Sequence, residues 1–193
     1  VEAYYQDGAS SYSQSLLFTD GSFTNLGTLG GASTSAFAMS ADGSTVVGWS
    51  NTTPSHWAYH AFYWTEGSGM VNLGTLGGVT SQAYAVSADG STVVGSSNIT
   101  GSWDSHAFRW TEAQGMVDLG TLGGNNSYAV DVSADGSVIV GNSRPAGSVY
   151  ERAVRWTDGQ IYDLGTLGGI RSSAGHVSAD GTIVAGSAQN ADG

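Results

Sequence analysis

The chain has 193 residues, with 16 acidic side chains against 5 basic ones and a formal net charge of −11 at pH 7. Such a charge repels the phosphates of nucleic acids and the surfaces of anionic membranes, so neither is an expected partner. Cysteine is absent, which excludes disulfides and thiolate zinc sites, and no apolar run reaches the roughly 20 residues of a membrane span, so membrane insertion is not expected.

The first residues of the chain, 1–13, lie outside the repeats that follow. Within them Ala3, Tyr4 and Tyr5 are suited to an extra strand. A strand of this kind can be donated to the free sheet edge of another copy. We therefore treat residues 1–13 as an N-terminal extension and a candidate donor strand.

The rest of the chain, residues 14–193, is a single domain made of four repeats. Leu-Gly-Thr-Leu-Gly-Gly recurs at steps of 47, 46 and 45 residues, and Ser-Ala-Asp-Gly follows each copy at a fixed distance. The repeats cover about residues 14–59, 60–105, 106–151 and 152–193. A period in the forties is typical of propeller blades and of helical solenoids.

Each repeat predicts four short strands, as the second complete repeat shows. Residues 83–87 alternate small and large side chains, as a half-buried strand does, and an Asp-Gly hairpin signal follows. The β-branched residues 92–94 return as the second strand, residues 106–111 form the third and residues 116–119 the fourth. Four antiparallel strands without helical periodicity exclude the helical solenoids and predict a propeller blade.

The third strand of every repeat carries two apolar side chains on one face, because they stand two residues apart. These pairs are Leu16 and Phe18, Phe62 and Trp64, Phe108 and Trp110, and Val154 and Trp156. One blade cannot cover side chains of this size, so we predict that the blades pack against one another.

The blade boundaries leave one blade incomplete. If the hairpin strands are innermost, residues 36–76, 83–122 and 129–167 are whole blades, and residues 174–187 supply only the inner strands of a fourth. Two N-terminal strands, residues 16–19 and 23–29, would complete it and give an all-β propeller of four four-stranded antiparallel blades. They could come from the same chain, which closes a ring, or from a neighbour, which builds a head-to-tail homopolymer.

The repeated motifs resemble a known family. His-Ala-Phe at residues 60–62 and 106–108, the Trp-Thr that follows, and the two repeated motifs above are similar to the HAF-type extracellular repeats of bacteria. The resemblance covers roughly residues 15–188 and implies an extracellular or cell-surface protein, without naming an activity. Ser-Ala-Asp-Gly and Trp-Thr also sit where WD-repeat propellers carry Ser-Pro-Asp-Gly and Trp-Asp, which supports the strand order only.

Residues with catalytic or metal-binding chemistry are few. Each Ser-Ala-Asp-Gly aspartate offers a single carboxylate before a glycine, which favours a turn over a calcium loop. His60 and His106 share a position that Arg152 fills in the last repeat, which favours polar strand ends over a ligand role. No nucleophile elbow or phosphate loop is present, so we predict no catalytic residue, no metal ligand and no cofactor.

Asp131 and His176 interrupt an alanine pattern on the first strand of their repeats. If that strand lines the central channel, the two side chains face the channel and each other. A small polar or ion site between them is the alternative to two isolated polar residues.

The segments between second and third strands carry aromatic and glycosylation signals. The aromatic residues are Trp49, Trp57, Tyr59 and Trp103, and the sequons begin at Asn51, Asn98 and Asn125. Exposed aromatic rings stack on sugars or on protein partners, whereas packing over the blade edges is the structural alternative. The sequons are candidate N-glycosylation sites, the first two of them in the variable loops.

These observations favour a secreted, non-enzymatic repeat protein that acts as a structural or adhesive module. Self-assembly into a filament by N-terminal strand exchange stays open beside a closed monomeric ring. A glycan-binding propeller that uses the loop aromatics is the alternative. A carbohydrate-active enzyme is a third reading, but it needs several polar residues at the channel mouth, where the sequence offers little beyond Asp131 and His176.

Overall fold

The computed structural model of the protein describes residues 2–7, 10–54 and 57–192, which form seventeen strands and no helix. Every strand pairing within a sheet is antiparallel. The predicted all-β class is confirmed. Among these residues no helix is long and apolar enough to span a membrane.

The three central sheets each have four strands in sequence order, as a propeller blade requires. Blade 1 consists of β4 (Thr34–Met39), β5 (Thr45–Asn51), β6 (Tyr59–Thr65) and β7 (Gly69–Gly74). Blade 2 consists of β8 (Gly77–Val86), β9 (Val93–Ile99), β10 (Ser105–Thr111) and β11 (Gly115–Asp118). Blade 3 consists of β12 (Gly123–Val132), β13 (Ile139–Pro145), β14 (Arg152–Thr157) and β15 (Gln160–Asp163).

The two terminal sheets are smaller. The N-terminal sheet consists of β1 (Glu2–Asp7), β2 (Ser10–Thr19) and β3 (Ser22–Asn25), and its β2 packs against blade 1. The C-terminal sheet has two strands, β16 (Gly168–Val177) and β17 (Val184–Asn190), and its β16 packs against blade 3. By the repeat, β2 and β3 correspond to third and fourth strands of a blade, and β16 and β17 to first and second strands.

The ring is not closed in this structure. Within the described ranges no strand pairs with the outer edge of β17, and β16 and β17 form a separate two-stranded sheet. The own-chain completion of the fourth blade is therefore not present here, and the fold is a propeller-like series of antiparallel sheets with two incomplete ends.

The first strand of every repeat contains a bulge at the same place. The register of blade 2 shifts between Ala83 and Ala85, so Tyr84 is the extra residue. Gly95 lies opposite, and a Cβ there would collide with the carbonyl of Gln82. The glycine after the two apolar residues of each second strand is therefore required by a close backbone approach, not by a turn.

The core lies between the sheets, as predicted. Phe62, Phe108 and Val154 are fully buried, and Trp64 and Trp156 are 6% and 3% exposed. One cluster joins Val94 and Ala107 of blade 2 to Ile139 and other apolar residues of blade 3. The expectation fails at one of the eight positions, since Phe18 is 55% exposed.

Phe18 is exposed because the face that it presents has no blade in front of it. Trp156 occupies the same position in blade 3 and is covered by blade 2, where its Nε1 donates a hydrogen bond to the Leu119 carbonyl at 2.9 Å. The burial of the repeated aromatic residue thus depends on the preceding blade rather than on its own sheet.

Candidate functional site at the two ends of the repeat array

The Ser-Ala-Asp-Gly hairpins are turns held by their own side chains. In blade 2 the Asp89 carboxylate accepts hydrogen bonds from the Ser87 hydroxyl at 2.6 Å and from the Ser91 amide at 3.0 Å. The Ser87 hydroxyl in turn accepts from the Thr92 amide at 3.0 Å. Donors aimed at the carboxylate stabilise its charged form, which agrees with the predicted role as turn former.

The same donors lower the pKa values of the four hairpin aspartates. Hydrogen bonds lower the pKa of Asp135 to about 2. The largest contribution comes from the Ser133 hydroxyl and the next from the Ser137 backbone amide. Asp42 and Asp180 have pKa values lowered to about 2 for the same reason, with Ser40 and Ser178 as the first donors. Because these pKa values lie far below neutral pH, the three surface carboxylates stay charged at every physiological pH.

Consecutive hairpins are joined by a series of backbone hydrogen bonds, which we call the hairpin relay. The amide of Ala41 donates to Ala88 at 3.1 Å, that of Ala88 to Ala134 at 3.1 Å, and that of Ala134 to Ala179 at 2.9 Å. Each hairpin therefore docks on the next by one donor and one acceptor. In the described part of the chain, the Ala179 amide has no acceptor and the Ala41 carbonyl has no donor.

The outer end of each blade is held by a cross-strand pair. His60 Nδ1 lies 3.0 Å from Asn72 Oδ1, and His106 Nδ1 lies 2.8 Å from Asp118 Oδ2. The Asn72 side chain also accepts from the Gly74 amide, at 2.8 Å. These histidines pair with fourth-strand residues that cap the glycine turn, as the predicted polar strand ends would.

Buried serines connect one blade with the next. The Ser127 hydroxyl of blade 3 accepts from the Ala107 amide of blade 2 at 2.8 Å and donates to the Gly120 carbonyl at 2.7 Å. Ser81 and Ser172 make the equivalent contacts, to Ala61 and Ala153. Sequence reasoning missed these serines, although in three of the four first strands a serine stands two residues before the first alanine and so carried a repeat signal. Thr34 holds this position in the remaining strand, β4.

The N-terminal end of the array presents an uncovered apolar surface, which we call the N-face: Phe18, Phe23 and Met39. These side chains are 55%, 61% and 58% exposed, and the two phenylalanine rings lie 4.8 Å apart. A pocket of about 140 Å³ beside them is lined by apolar residues of β2, β4 and β5. The N-face is the side of the array that would meet a preceding blade.

The C-terminal end presents a second uncovered surface, which we call the C-face: Leu164, Leu167 and Ile183, with β17. Leu167 is 71% exposed and Ile183 is 67% exposed. An open groove of about 790 Å³ runs between β17 and the loop of blade 3 that carries Tyr150 and Glu151. Complete blades hold their third strand in this place, beside the second.

The aromatic residues proposed for ligand contact fall into two pairs. Trp49 lies in β5 and Tyr59 in β6, and their half-buried rings pack at 5.3 Å across the strand pair. Trp57 and Trp103 are 83% and 75% exposed. The structure therefore separates two packed rings from two that are free to meet a partner.

The sequon asparagines are not equivalent. Asn51 and Asn98 are the buried residues, 2% and 5% exposed, and both lie within second strands rather than in the variable loops. Asn98 Nδ2 donates to the Trp103 carbonyl at 3.0 Å. Asn125 lies in β12 and is exposed, so it is the only one of the three whose side chain is open to modification.

The candidate donor strand pairs with its own chain. Ala3, Tyr4 and Tyr5 lie in β1, opposite Gln14, Ser13 and Tyr12 of β2. The predicted extra strand is present, and donation to a second copy stays a prediction.

Asp131 and His176 meet across the joint between blade 3 and β16. His176 Nδ1 lies 3.7 Å from Asp131 Oδ2, and that oxygen accepts from the Val177 amide at 2.9 Å. The prediction that they face each other is confirmed. Among residues 2–7, 10–54 and 57–192 no group of three or more His, Cys, Asp or Glu side chains could hold a metal ion.

No protein-family model and no curated protein matches the sequence. Solved structures do match: TolB from Acinetobacter baumannii, at 18% identity and a TM-score of 0.61, over 94% of this chain and 44% of that one. A protein assigned as TolB from Agrobacterium tumefaciens matches at 13% identity and a TM-score of 0.55, over 80% of this chain and 57% of that one. The chain thus shares a β-propeller fold with these proteins and spans about half their length.

Proposed function

We propose that this chain is an extracellular, non-enzymatic structural module that assembles end to end with copies of itself. One observation carries the proposal: the two ends of the array hold complementary halves of one blade. The N-terminal sheet supplies third and fourth strands, and the C-terminal sheet supplies first and second strands. A complete fourth blade, and with it a propeller of four blades per copy, follows only when the halves meet.

The apolar side chains of the two faces provide the driving force. Full burial of one large apolar side chain contributes about 1.5–3 kcal/mol. Because the six residues of the N-face and C-face are roughly half exposed, their burial would contribute about 5–10 kcal/mol in total. Association costs about 4–15 kcal/mol, so the proposed assembly is reversible and depends on concentration.

The remaining parts of the proposal have separate support. The resemblance to HAF-type repeats supports the extracellular location. A structural rather than enzymatic role is supported by the hydrogen bonds that the polar repeat residues make within the fold. The Asp89 carboxylate holds a turn, and the His60 and His106 side chains pair with residues of the fourth strands.

Light scattering of the purified chain over a wide concentration range tests self-assembly. We expect mass to rise with concentration, and to rise further with salt, because salt screens the repulsion between chains of net charge −11. A strictly monomeric chain at the highest concentration and salt would rule the proposal out.

A glycan-binding role is the second candidate, and the exposure of Trp57 and Trp103 favours it. Each tryptophan stands three residues before the histidine of a His-Ala-Phe motif, so the two occupy equivalent places on neighbouring blades. A cavity of about 190 Å³ nearby is lined by hydroxyl and amide side chains, among them Tyr59, Gln82 and Tyr128. Polar groups of this kind suit the hydroxyls of a neutral sugar.

A glycan array with the double variant Trp57→Ala, Trp103→Ala tests the second candidate. We expect the variant to lose binding that Tyr162→Ala retains, since Tyr162 is a half-exposed aromatic residue on another strand. Binding that survives the double variant, or no binding by the natural chain, would dismiss this role.

A further inference from the structure

Because the complete blades share one strand order and one pairing register, the incomplete ends can be compared with complete joints. We propose that a second copy of this chain docks its β2 beside β17 in one defined register, and that β1 is the strand it must displace. The inference rests on the proposed self-assembly and specifies the residues that form the joint.

The register follows from the complete blades. In blade 2 the third strand pairs with the second through Phe108 opposite Gly95 and Arg109 opposite Val94. Blades 1 and 3 keep the same offset, with Phe62 opposite Gly48 and Val154 opposite Gly141. Transferred to the ends, this offset sets Leu17 of one copy opposite Ala185 of the other.

The N-face then meets the blade that it lacks. Trp156 packs on Leu119 of the preceding blade, and the neighbouring Ile161 packs against the same cluster. Phe18 and Phe23 hold the positions of Trp156 and Ile161. The residue in the position of Leu119 is Leu164 of the copy that supplies β17, and Leu164 is 45% exposed in the single chain.

The C-face meets a matching hairpin. In the complete joints the glycine of each hairpin lies against a side chain of the preceding blade: Gly90 against Thr45, Gly136 against Thr92, and Gly181 against Val138. The first hairpin glycine, Gly43, has no atom of another blade within 4 Å of a Cβ position. Ile183 holds the position of Thr45, Thr92 and Val138, so it covers Gly43 of the second copy.

The hairpin relay continues through the same joint. The Ala179 amide of one copy stands where it can donate to the Ala41 carbonyl of the next, as Ala134 donates to Ala179 within the chain. Strand pairing, apolar packing and the relay therefore all specify one arrangement.

β1 occupies part of the place that β17 would take. It pairs with the first half of β2, with Ala3 opposite Gln14 and Glu2 opposite Ser15. In blade 2 the positions equivalent to Gln14 and Ser15 pair with the second strand, through Ser97 and Ser96. Full pairing of β17 with β2 thus requires β1 to dissociate from β2. In this arrangement β1 competes with β17 for the edge of β2 and is not the donated strand.

The docking partner is a second copy because the two edges of one chain are not paired with each other in the described part of the structure. Within the described ranges β2 contacts β4 of blade 1, β16 contacts blade 3, and β2 and β17 are not paired. A self-closed ring is the competing outcome of the experiment.

Since the chain has no cysteine, an engineered pair reports the joint directly. We expect Leu17→Cys, Ala185→Cys to form disulfide-linked multimers on oxidation, because opposite residues of paired strands lie within disulfide reach. The control Leu17→Cys, Ser187→Cys is two residues out of register and should link at least several-fold less. A compact linked monomer would overturn the second-copy joint, and equal linking by the control would overturn the register.

A second variant pair guards against a folding defect in the cysteine variants. Ile183→Glu changes a residue that is exposed in the single chain, so the chain should fold but lose assembly, because the joint would bury a charge. Val117→Glu, on the exposed side of β11, should assemble normally. If the Ile183→Glu variant assembles at the same concentration as the unsubstituted chain, the proposed joint is wrong.

Deletion of residues 1–9 tests the competitor role of β1. We expect assembly to reach its midpoint at a several-fold lower concentration, because β17 no longer competes with a resident strand. Loss of assembly would show that the segment is the donor. If the natural chain never assembles, the proposed function fails; if it assembles without linking Leu17→Cys to Ala185→Cys, only this joint fails.

Discussion

The joint between blades 2 and 3 and the C-terminal half-blade are built from the same sequence pattern, yet they differ sharply in burial. Val94 of β9 and Val140 of β13 are fully buried, whereas Ala185, at the same position of β17, is exposed. The difference arises because each sheet covers its neighbour and cannot cover itself. In this protein, therefore, burial is a property of the pair of blades and ends where the pairs end.

The largest test of this comparison sets a central aromatic residue against its terminal equivalent position. Trp156 is only 3% exposed, so Trp156→Ala should lower the free energy of unfolding by about 3–5 kcal/mol. Phe18→Ala removes a ring that is 55% exposed and should cost less than about 1 kcal/mol in dilute solution. Urea unfolding measures both. Similar costs would show that the end is packed as well as the centre.

The second-largest expected loss of stability concerns Gly95, which lies close to the backbone of the first strand at the bulge. A Cβ on Gly95 would collide with a backbone carbonyl that cannot move freely, so Gly95→Ala should cost about 3 kcal/mol. Gly67→Ala is the matched control, since Gly67 has open space around it. Thermal unfolding compares the two variants, and a neutral Gly95→Ala would contradict the backbone contact.

Loss of the buried serine between blades should lower the free energy of unfolding by less than loss of the buried aromatic ring or the change at Gly95. Ser127→Ala leaves the Ala107 amide buried without its acceptor, which should cost about 1–3 kcal/mol. Ser68→Ala, in an exposed turn, should be nearly neutral. Chemical denaturation of both variants sharpens the comparison between polar contacts at joints and polar contacts at the surface.

The smallest effect concerns pH. The hairpin aspartates have pKa values below their unfolded value of 3.8, at about 2 for Asp42, Asp135 and Asp180. A lowered folded-state pKa stabilises the fold above the unfolded pKa, and this contribution is lost as pH falls from about 4 to 2. The Tm should therefore decrease over that range, and decrease less steeply in Asp135→Asn. A Tm that is flat from pH 5 to pH 2 would argue against it.

Much of the fold was predictable because its signals are local. The Asp-Gly turn, the alternation at residues 83–87 and the paired apolar positions on the third strand each describe one strand or one hairpin, and the structure has them in the predicted places. The ends were harder to predict. Phe18 carries the same local signal as Trp156, and only the missing neighbour makes it exposed.

The candidate sites show the same limit. Asn51 and Asn98 match a short sequon, but nothing in three residues reveals that the second strand continues through them and buries them. His176 and Asp131 were brought together correctly, because both break one pattern at related positions. Residues that depart from the repeat pattern therefore predicted a side-chain contact correctly, whereas the short sequon motif did not predict exposure.

The hairpin relay gives the molecule a direction. Every link points the same way along the chain, so any row of copies would finish with an idle amide at one tip and an idle carbonyl at the other. The two ends of such a row differ chemically, so a peptide that binds one end would not bind the other. Growth could then be stopped from a single side, in the way that polar cytoskeletal polymers are capped.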